Sequence, residues 1–165
     1  MIKKSYYIVT FLAVLLIIGC ENEPVAPTNS SPNKIFGETN FVEYESPGTV
    51  TQFEDGTKQI RKQIAIFNDS SNDMQLSGLR KIELNHNFDS NNEGSCYGTF
   101  SLETKNGYWE GDWTGETTST GTTIKAIGYN LDDREQYCKW EYYFPSSDEG
   151  KSGTYSAKIF FDDRN

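Results

Sequence analysis

The chain has 165 residues, 24 of them acidic and 15 basic, and a formal net charge of −9. So acidic a surface repels a phosphate backbone, and no basic cluster offsets it, which excludes nucleic acid as a natural partner. Hydrophobic residues make up 35% of the chain and aromatics 14%, and the length suits one domain with one core.

Taken in chain order, Lys3 and Lys4 precede an apolar run from Tyr6 to Ile18. The run has the length of a signal-peptide core and falls short of the roughly 20 residues a membrane-spanning helix needs. It ends in Ile17-Ile18-Gly19-Cys20, which resembles the bacterial lipobox. The resemblance implies a signal peptide over residues 1–19, cleavage after Gly19, and a lipid on Cys20 at the start of the mature chain. Two or more acyl chains give stable membrane anchoring where one would not. Residues 1–19 hold two lysines and no acid, so the mature chain sets 13 basic against 24 acidic residues, a net charge of −11. That charge disfavours lying flat on anionic lipid. Residues 20–34 form a linker whose sequence after the cysteine, "ENEPVAPTNSSPNK", contains three of the five prolines and almost nothing apolar. Its flexible reach is roughly 20 Å. The expected address is the bacterial cell envelope, at the outer rather than the inner membrane, with the membrane reached through Cys20.

Residues 35–165 read as an all-β domain. Strand-like runs are "TVTQFEDG" and "TKQIRKQIAIF", joined at Asp55-Gly56, a dipeptide suited to a type I′ hairpin turn. "MQLSGLRKIELNHNF", "SCYGTFSLE", "YWEGDWTG", "TTIKAIGY", "QYCKWEYYF" and "GTYSAKIFF" follow, separated by polar loop sequences such as "NDSSND" and "DSNNEG". No segment after the apolar leader has a sustained helical period. Seven or eight short antiparallel strands predict a small β-barrel, with a β-sandwich as the alternative.

Gly98 to Tyr129, "GTFSLETKNGYWEGDWTGETTSTGTTIKAIGY", resembles bacterial proteins related to the allene oxide cyclase type of barrel, a small calycin-like antiparallel fold. The shared pattern is a "GTF…L" strand, a Gly-x-Trp-x-Gly-x-Trp-x-Gly strand, and a strand bearing glycine and tyrosine. The resemblance implies the barrel. It carries over no catalytic residue, and the chain departs from the pattern at "NLDDREQYCKWEYYF".

Two-residue alternation puts Trp109, Gly111, Trp113 and Gly115 on one face and Tyr108, Glu110, Asp112 and Thr114 on the other. Inside a small barrel, glycine beside tryptophan lets a large ring lie over the position its neighbour leaves empty. Trp109 and Trp113 are therefore core residues first and ligand contacts second. If the lumen holds a ligand, the candidate contacts are Trp109, Trp113, Tyr129, Trp140 and Tyr142.

Cys96 and Cys138 are an even pair in a chain read as exported, where disulfides persist. Cys96 is in phase with Gly98, Phe100 and Leu102, and Cys138 with Trp140, Tyr142 and Phe144, so both point to the apolar side and are expected to form a disulfide. Closing a loop of about 43 residues would contribute roughly 4 kcal/mol in the chain-entropy view.

No catalytic constellation, metal site or cofactor motif emerges. His86 is the single histidine and shares the parity of Ile82, Leu84 and Phe88, which makes it a core-edge residue satisfied by backbone. "DSNNEG" matches the first positions of an EF-hand loop, but position 12 is Phe100 and a strand follows, so it reads as a polar hairpin. Glu110 and Asp112 fall on the face expected to be wet. The leading functional reading is a non-enzymatic lipid-anchored envelope protein acting as an interaction or structural module, with another envelope protein as partner. The alternative is a binding protein for a small apolar or sugar-like ligand held by barrel aromatics; a cyclase or isomerase by analogy of fold is remote. An open lumen of a few hundred Å³ would separate the first two.

Overall fold

The computed structural model describes residues 34–161. The expected signal peptide, Cys20 and all of the expected linker except Lys34 lie outside the described residues. Within them the chain forms nine strands: β1 (Ile35–Ser46), β2 (Thr49–Gln52), β3 (Lys58–Ser71), β4 (Gly78–Phe88), β5 (Gly94–Thr104), β6 (Gly107–Thr118), β7 (Gly121–Asn130), β8 (Gln136–Pro145) and β9 (Ser152–Phe161). Neighbours in sequence pair antiparallel from β3 to β9, and β1 pairs with both β9 and β3, so the sheet closes on itself. The barrel is an up-and-down ring closed on β9 through Ile35–Asn40; beyond Asn40 the rest of β1, and then β2, pair with β3 alone.

Nine strands make an eight-membered ring because β1 and β2 are one strand broken by a kink. Ser46 pairs with Ile64, and three residues later Thr49 pairs with Arg61 on the same partner strand. Pro47 and Gly48 lie at the break, where Gly48 takes a φ of +70°. A Cβ there would meet the Arg61 carbonyl oxygen at 2.5 Å, so only glycine passes the partner backbone. Opposite, Lys62 bulges with a φ of 55° and the β3–β4 register slips between Ile60 and Gln63. All four residues of β2 are exposed.

Three local expectations need correction. β1 is a full strand that alternation does not reveal. "MQL", read as the start of a strand, is a 3-10 turn over Met74–Leu76, because the Asp73 side chain caps the Gln75 N–H. The turn at Asp55-Gly56 is not type I′: Gly56 has a φ of +86° but Asp55 is not at positive φ, and the Gly56 N–H donates to the Phe53 carbonyl at 3.1 Å. This is a longer loop with glycine in its left-handed position, and the Asp55 carboxylate tightens it by accepting the Thr57 N–H at 2.9 Å.

Inward residues alternate with outward ones as the sequence implies. Trp109, Trp113, Phe100, Leu102, Cys138, Trp140 and Tyr142 are buried. Trp140 meets Trp109 and Phe100 edge-on at centroid distances of 5.8 and 5.4 Å, contacts worth about 0.5–1.5 kcal/mol each beyond the area they bury. Gly128 makes room for this cluster, since a Cβ on it would lie 2.6 Å from the Phe100 ring and 3.2 Å from that of Trp140.

Candidate functional site

The barrel has one filled end and one open end. At the filled end the Met74–Leu76 turn crosses the lumen as a plug. Leu76 is completely buried, the Trp109 Nε1–H donates to the Gln75 carbonyl at 3.0 Å, and the Tyr155 hydroxyl donates to the Leu76 carbonyl at 2.9 Å. Two rings of the barrel wall thus hold the plug by its backbone.

At the other end a cavity of about 360 Å³ opens between the strand ends. β4 supplies five inward residues in succession, Arg80, Ile82, Leu84, His86 and Phe88, with Ala65 and Phe67 from β3 beside them and Ile124 and Phe144 opposite. Thr117, Thr122 and the turn at Ser146 to Gly150 frame the mouth. The walls are mainly apolar, with a polar group at each end, the composition usual for a small-molecule site.

The inner polar group is a buried ion pair. Arg80 is 4% exposed and lies with Nε 2.9 Å from Asp69 Oδ2, while its Nη2 donates to Thr39 Oγ1 at 2.9 Å. The guanidinium lies against two aromatic rings, 4.2 Å from the centroid of Tyr142 and 5.1 Å from that of Phe67. Register explains the grouping: Thr39 pairs with Asp69 across the seam where β1 closes on β3, and Arg80 lies one strand further on, opposite Phe67. Bonding is incomplete. Among the described residues Asp69 Oδ1 has no hydrogen-bond partner, and the Arg80 Nε–H is close to Asp69 without being aimed at it.

The outer polar group centres on His86. Its Nε2 shares a hydrogen bond with Thr117 Oγ1 at 2.9 Å, and its ring stacks on Phe88 at 3.7 Å. The sequence placed it correctly at the core edge, but a threonine hydroxyl, not backbone, satisfies it. Burial, with Lys58 nearby, lowers its pKa to about 4, so the imidazole is neutral near pH 7. Cys96, directly across the β4–β5 ladder from His86, also lines the cavity, and burial pushes its thiol up to about 12. A neutral thiol beside a neutral imidazole is not an activated nucleophile.

The expected disulfide is absent: Cys96 and Cys138 are both free and buried. Parity put both side chains inside, as observed, but it says nothing about height. Following the register from Cys96 through Gly115 and Ile124 leads to Tyr142 on β8, four residues from Cys138. Four residues along a strand are about 13 Å, beyond the 7 Å or so that a disulfide spans between Cα atoms.

None of the five proposed ligand contacts lines the cavity. Trp109, Trp113, Trp140 and Tyr142 are core, and Tyr129 is 51% exposed on the outer wall. There it stands in an aromatic row with Tyr137 and Phe160, at centroid distances of 6.2 and 4.9 Å between neighbours. Glu110 and Asp112 are exposed on the outside, as expected. "DSNNEG" is a hairpin loop in which Asp89 Oδ1 accepts the N–H groups of Asn91 and Glu93 at 2.8 and 3.0 Å. The residues that do line the cavity carry the β4 alternation, a signal present in the sequence; the cavity itself depends on how far opposite side chains reach.

Set against protein families, curated proteins and solved structures, the chain matches none of them. The small closed barrel implied by the resemblance is present.

Proposed function

We propose that this chain is a lipid-anchored protein of the bacterial envelope whose barrel carries a small, mostly apolar molecule in its open end. The observation that carries this reading is the cavity of about 360 Å³, walled by Ile82, Leu84, Ile124 and Phe144. It is within the usual range for ligand sites and is reached from one end only of a lumen otherwise plugged by side chains. The lipobox-like Ile17-Ile18-Gly19-Cys20 and the proline-bearing linker support attachment through Cys20. Among the described residues no activated acid, base or nucleophile faces the cavity, which supports binding rather than turnover, and the likeness to allene oxide cyclase barrels supplies no residue for a reaction.

A second reading rests on the outer wall. The Tyr129, Tyr137 and Phe160 row, with Lys139 Nζ 5.9 and 5.5 Å from the latter two rings, would suit contact with another envelope component.

Native mass spectrometry of the full chain from its own host, before and after unfolding, separates the two. A discrete mass released on unfolding is expected. Chain that is bare and also fails to bind the uncharged fluorophore N-phenylnaphthylamine would overturn the lumen reading.

A further inference from the structure

We infer that the molecule held in the lumen is uncharged and carries a hydrogen-bond-accepting oxygen that it sets on the guanidinium of Arg80. The inference rests on the lumen reading above and narrows the ligand class.

Arg80 is the deepest of the β4 residues on the cavity wall and is almost fully buried. A guanidinium has five N–H groups in a fixed fork. Among the described residues one of them makes an aligned hydrogen bond, to Thr39; the buried Nε is close to Asp69 but not directed at it, and no hydrogen bond runs from Nη1 to the protein, although Nη1 is not one of the fully buried unpaired atoms. Leaving buried donors unmade is costly, and the cost falls when an acceptor arrives. An acceptor must approach at the guanidinium's edges, where its N–H groups point; the Phe67 and Tyr142 rings lie against the group, with centroids 5.1 and 4.2 Å from its carbon.

Charge decides what kind of acceptor fits. The two charged side chains that line the cavity among the described residues, Arg80 and Glu149, already have counter-charges. Asp69 balances Arg80 inside, and Lys151 lies 3.0 Å from Glu149 at the mouth. Lys58, beside His86 and directly opposite Phe88 across the β3–β4 ladder, rests 4.3 Å from the Phe88 ring at the end of the strand, far along β4 from Arg80, and does not line the cavity. A carboxylate entering would be a third charge next to a pair that already cancels, desolvated without a free partner. The net charge of −9 adds long-range repulsion. An amine would meet the guanidinium directly. A ketone, ester, ether or alcohol oxygen takes the spare N–H groups without adding charge, while its hydrocarbon part lies against Ile82, Leu84, Ile124 and Phe144.

Four compounds of matched size test this by displacing N-phenylnaphthylamine from the full chain: butyrophenone, butylbenzene, phenylbutyrate and phenylbutylamine. Butyrophenone is expected to compete about tenfold more strongly than butylbenzene, as one hydrogen bond to a charged donor implies, and more strongly than either ion. The carbonyl stretch of bound butyrophenone should move to lower frequency. Arg80→Met alone strands Asp69 and threatens the fold, so the comparison uses the double variant Asp69→Leu/Arg80→Met. In it the ketone's advantage and its frequency shift should vanish while butylbenzene still binds. Phenylbutyrate as the strongest competitor, equal competition by ketone and hydrocarbon, or a ketone preference that survives in the double variant would each overturn the inference and leave the lumen reading standing. A probe that never binds would remove both.

Discussion

At the filled end of the barrel the Trp109 N–H and the Tyr155 O–H reach the backbone of the Met74–Leu76 turn from the wall, whereas at the open end Ile82, Leu84, Ile124 and Phe144 leave a cavity of about 360 Å³ between them. Both ends belong to the same eight-membered ring, and strand number sets a barrel's width. The lumen is therefore filled or open according to side-chain reach and the presence of a plug, not according to backbone. One meander can combine a rigid base with a receptive mouth by changing a few inward residues.

The sharpest way to break this comparison is to remove a ring from each end. Trp109→Ala deletes one of the core's two fully buried indoles and one of the plug's two anchors, and a cost of about 3–5 kcal/mol is expected. Phe88→Ala at the mouth removes a half-buried ring and should cost about 1 kcal/mol. Equal losses in chemical denaturation of the two variants would mean that the ends do not differ in packing.

Between the ends lies the Arg80–Asp69 pair. Arg80→Met leaves a buried, uncompensated carboxylate and should cost about 3–5 kcal/mol, while Asp69→Leu/Arg80→Met should be far closer to wild type. If single and double variants lose the same stability, the pair is not coupled in the way its 2.9 Å separation implies.

His86 gives the open end a pH dependence that the filled end lacks. Its pKa falls from the ordinary 6.5 to about 4 on folding, so the folded chain resists protonation that the unfolded chain accepts. Its contribution is complete above pH 6.5, is lost as pH falls toward 4, and changes no further below that. With the ring partly open to the cavity, the loss should be on the order of 2 kcal/mol. The His86→Gln variant should show a shallower acid decline across that interval; superimposable wild-type and variant curves would refute the assignment.

Overpacking tests the free space itself. Leu102→Phe, in the filled end, should cost about 1–3 kcal/mol, because no room exists for extra atoms. Leu84→Phe should cost less than about 1 kcal/mol and abolish N-phenylnaphthylamine binding, since the ring grows into the cavity.

What the sequence made legible was facing rather than position. Alternation in "WEGDWTG" and "NHNF" assigned Trp109, Trp113, His86 and Leu84 to the inside, and each is there. β1 was illegible because its inward positions are not a hydrophobic row. Gly37 is inward since the Tyr155 ring would lie 2.3 Å from any Cβ there, and Thr39 is inward to receive Arg80. Phe36, Val42 and Tyr44 are meanwhile exposed, which erases the contrast between faces. The five residues named as candidate ligand contacts fall outside the cavity lining for a related reason. Aromatic richness marks where large rings pack, and Trp109, Trp140 and Phe100 pack edge-on and fill the lumen between them, whereas the cavity opens where Ile82, Leu84 and Ile124 form its wall.

The smallest effect expected is none, and it concerns the two thiols. A disulfide closing about 43 residues would contribute roughly 4 kcal/mol, so reductant would lower the melting temperature of a bridged domain by several degrees. Cys96 lines the open end and Cys138 is fully buried near the plug, where burial holds its thiol well above the ordinary range. Neither can reach the other without moving β8 by four residues relative to β7, which would also displace Trp140 and Tyr142. Reductant should therefore leave the melting temperature unchanged. Denatured, unreduced protein should take up an alkyl group on each of Cys96 and Cys138. A reductant-sensitive melting point, or protein that refuses alkylation at both sites, would show that the two ends are tied together and that the contrast between them is smaller than the packing implies.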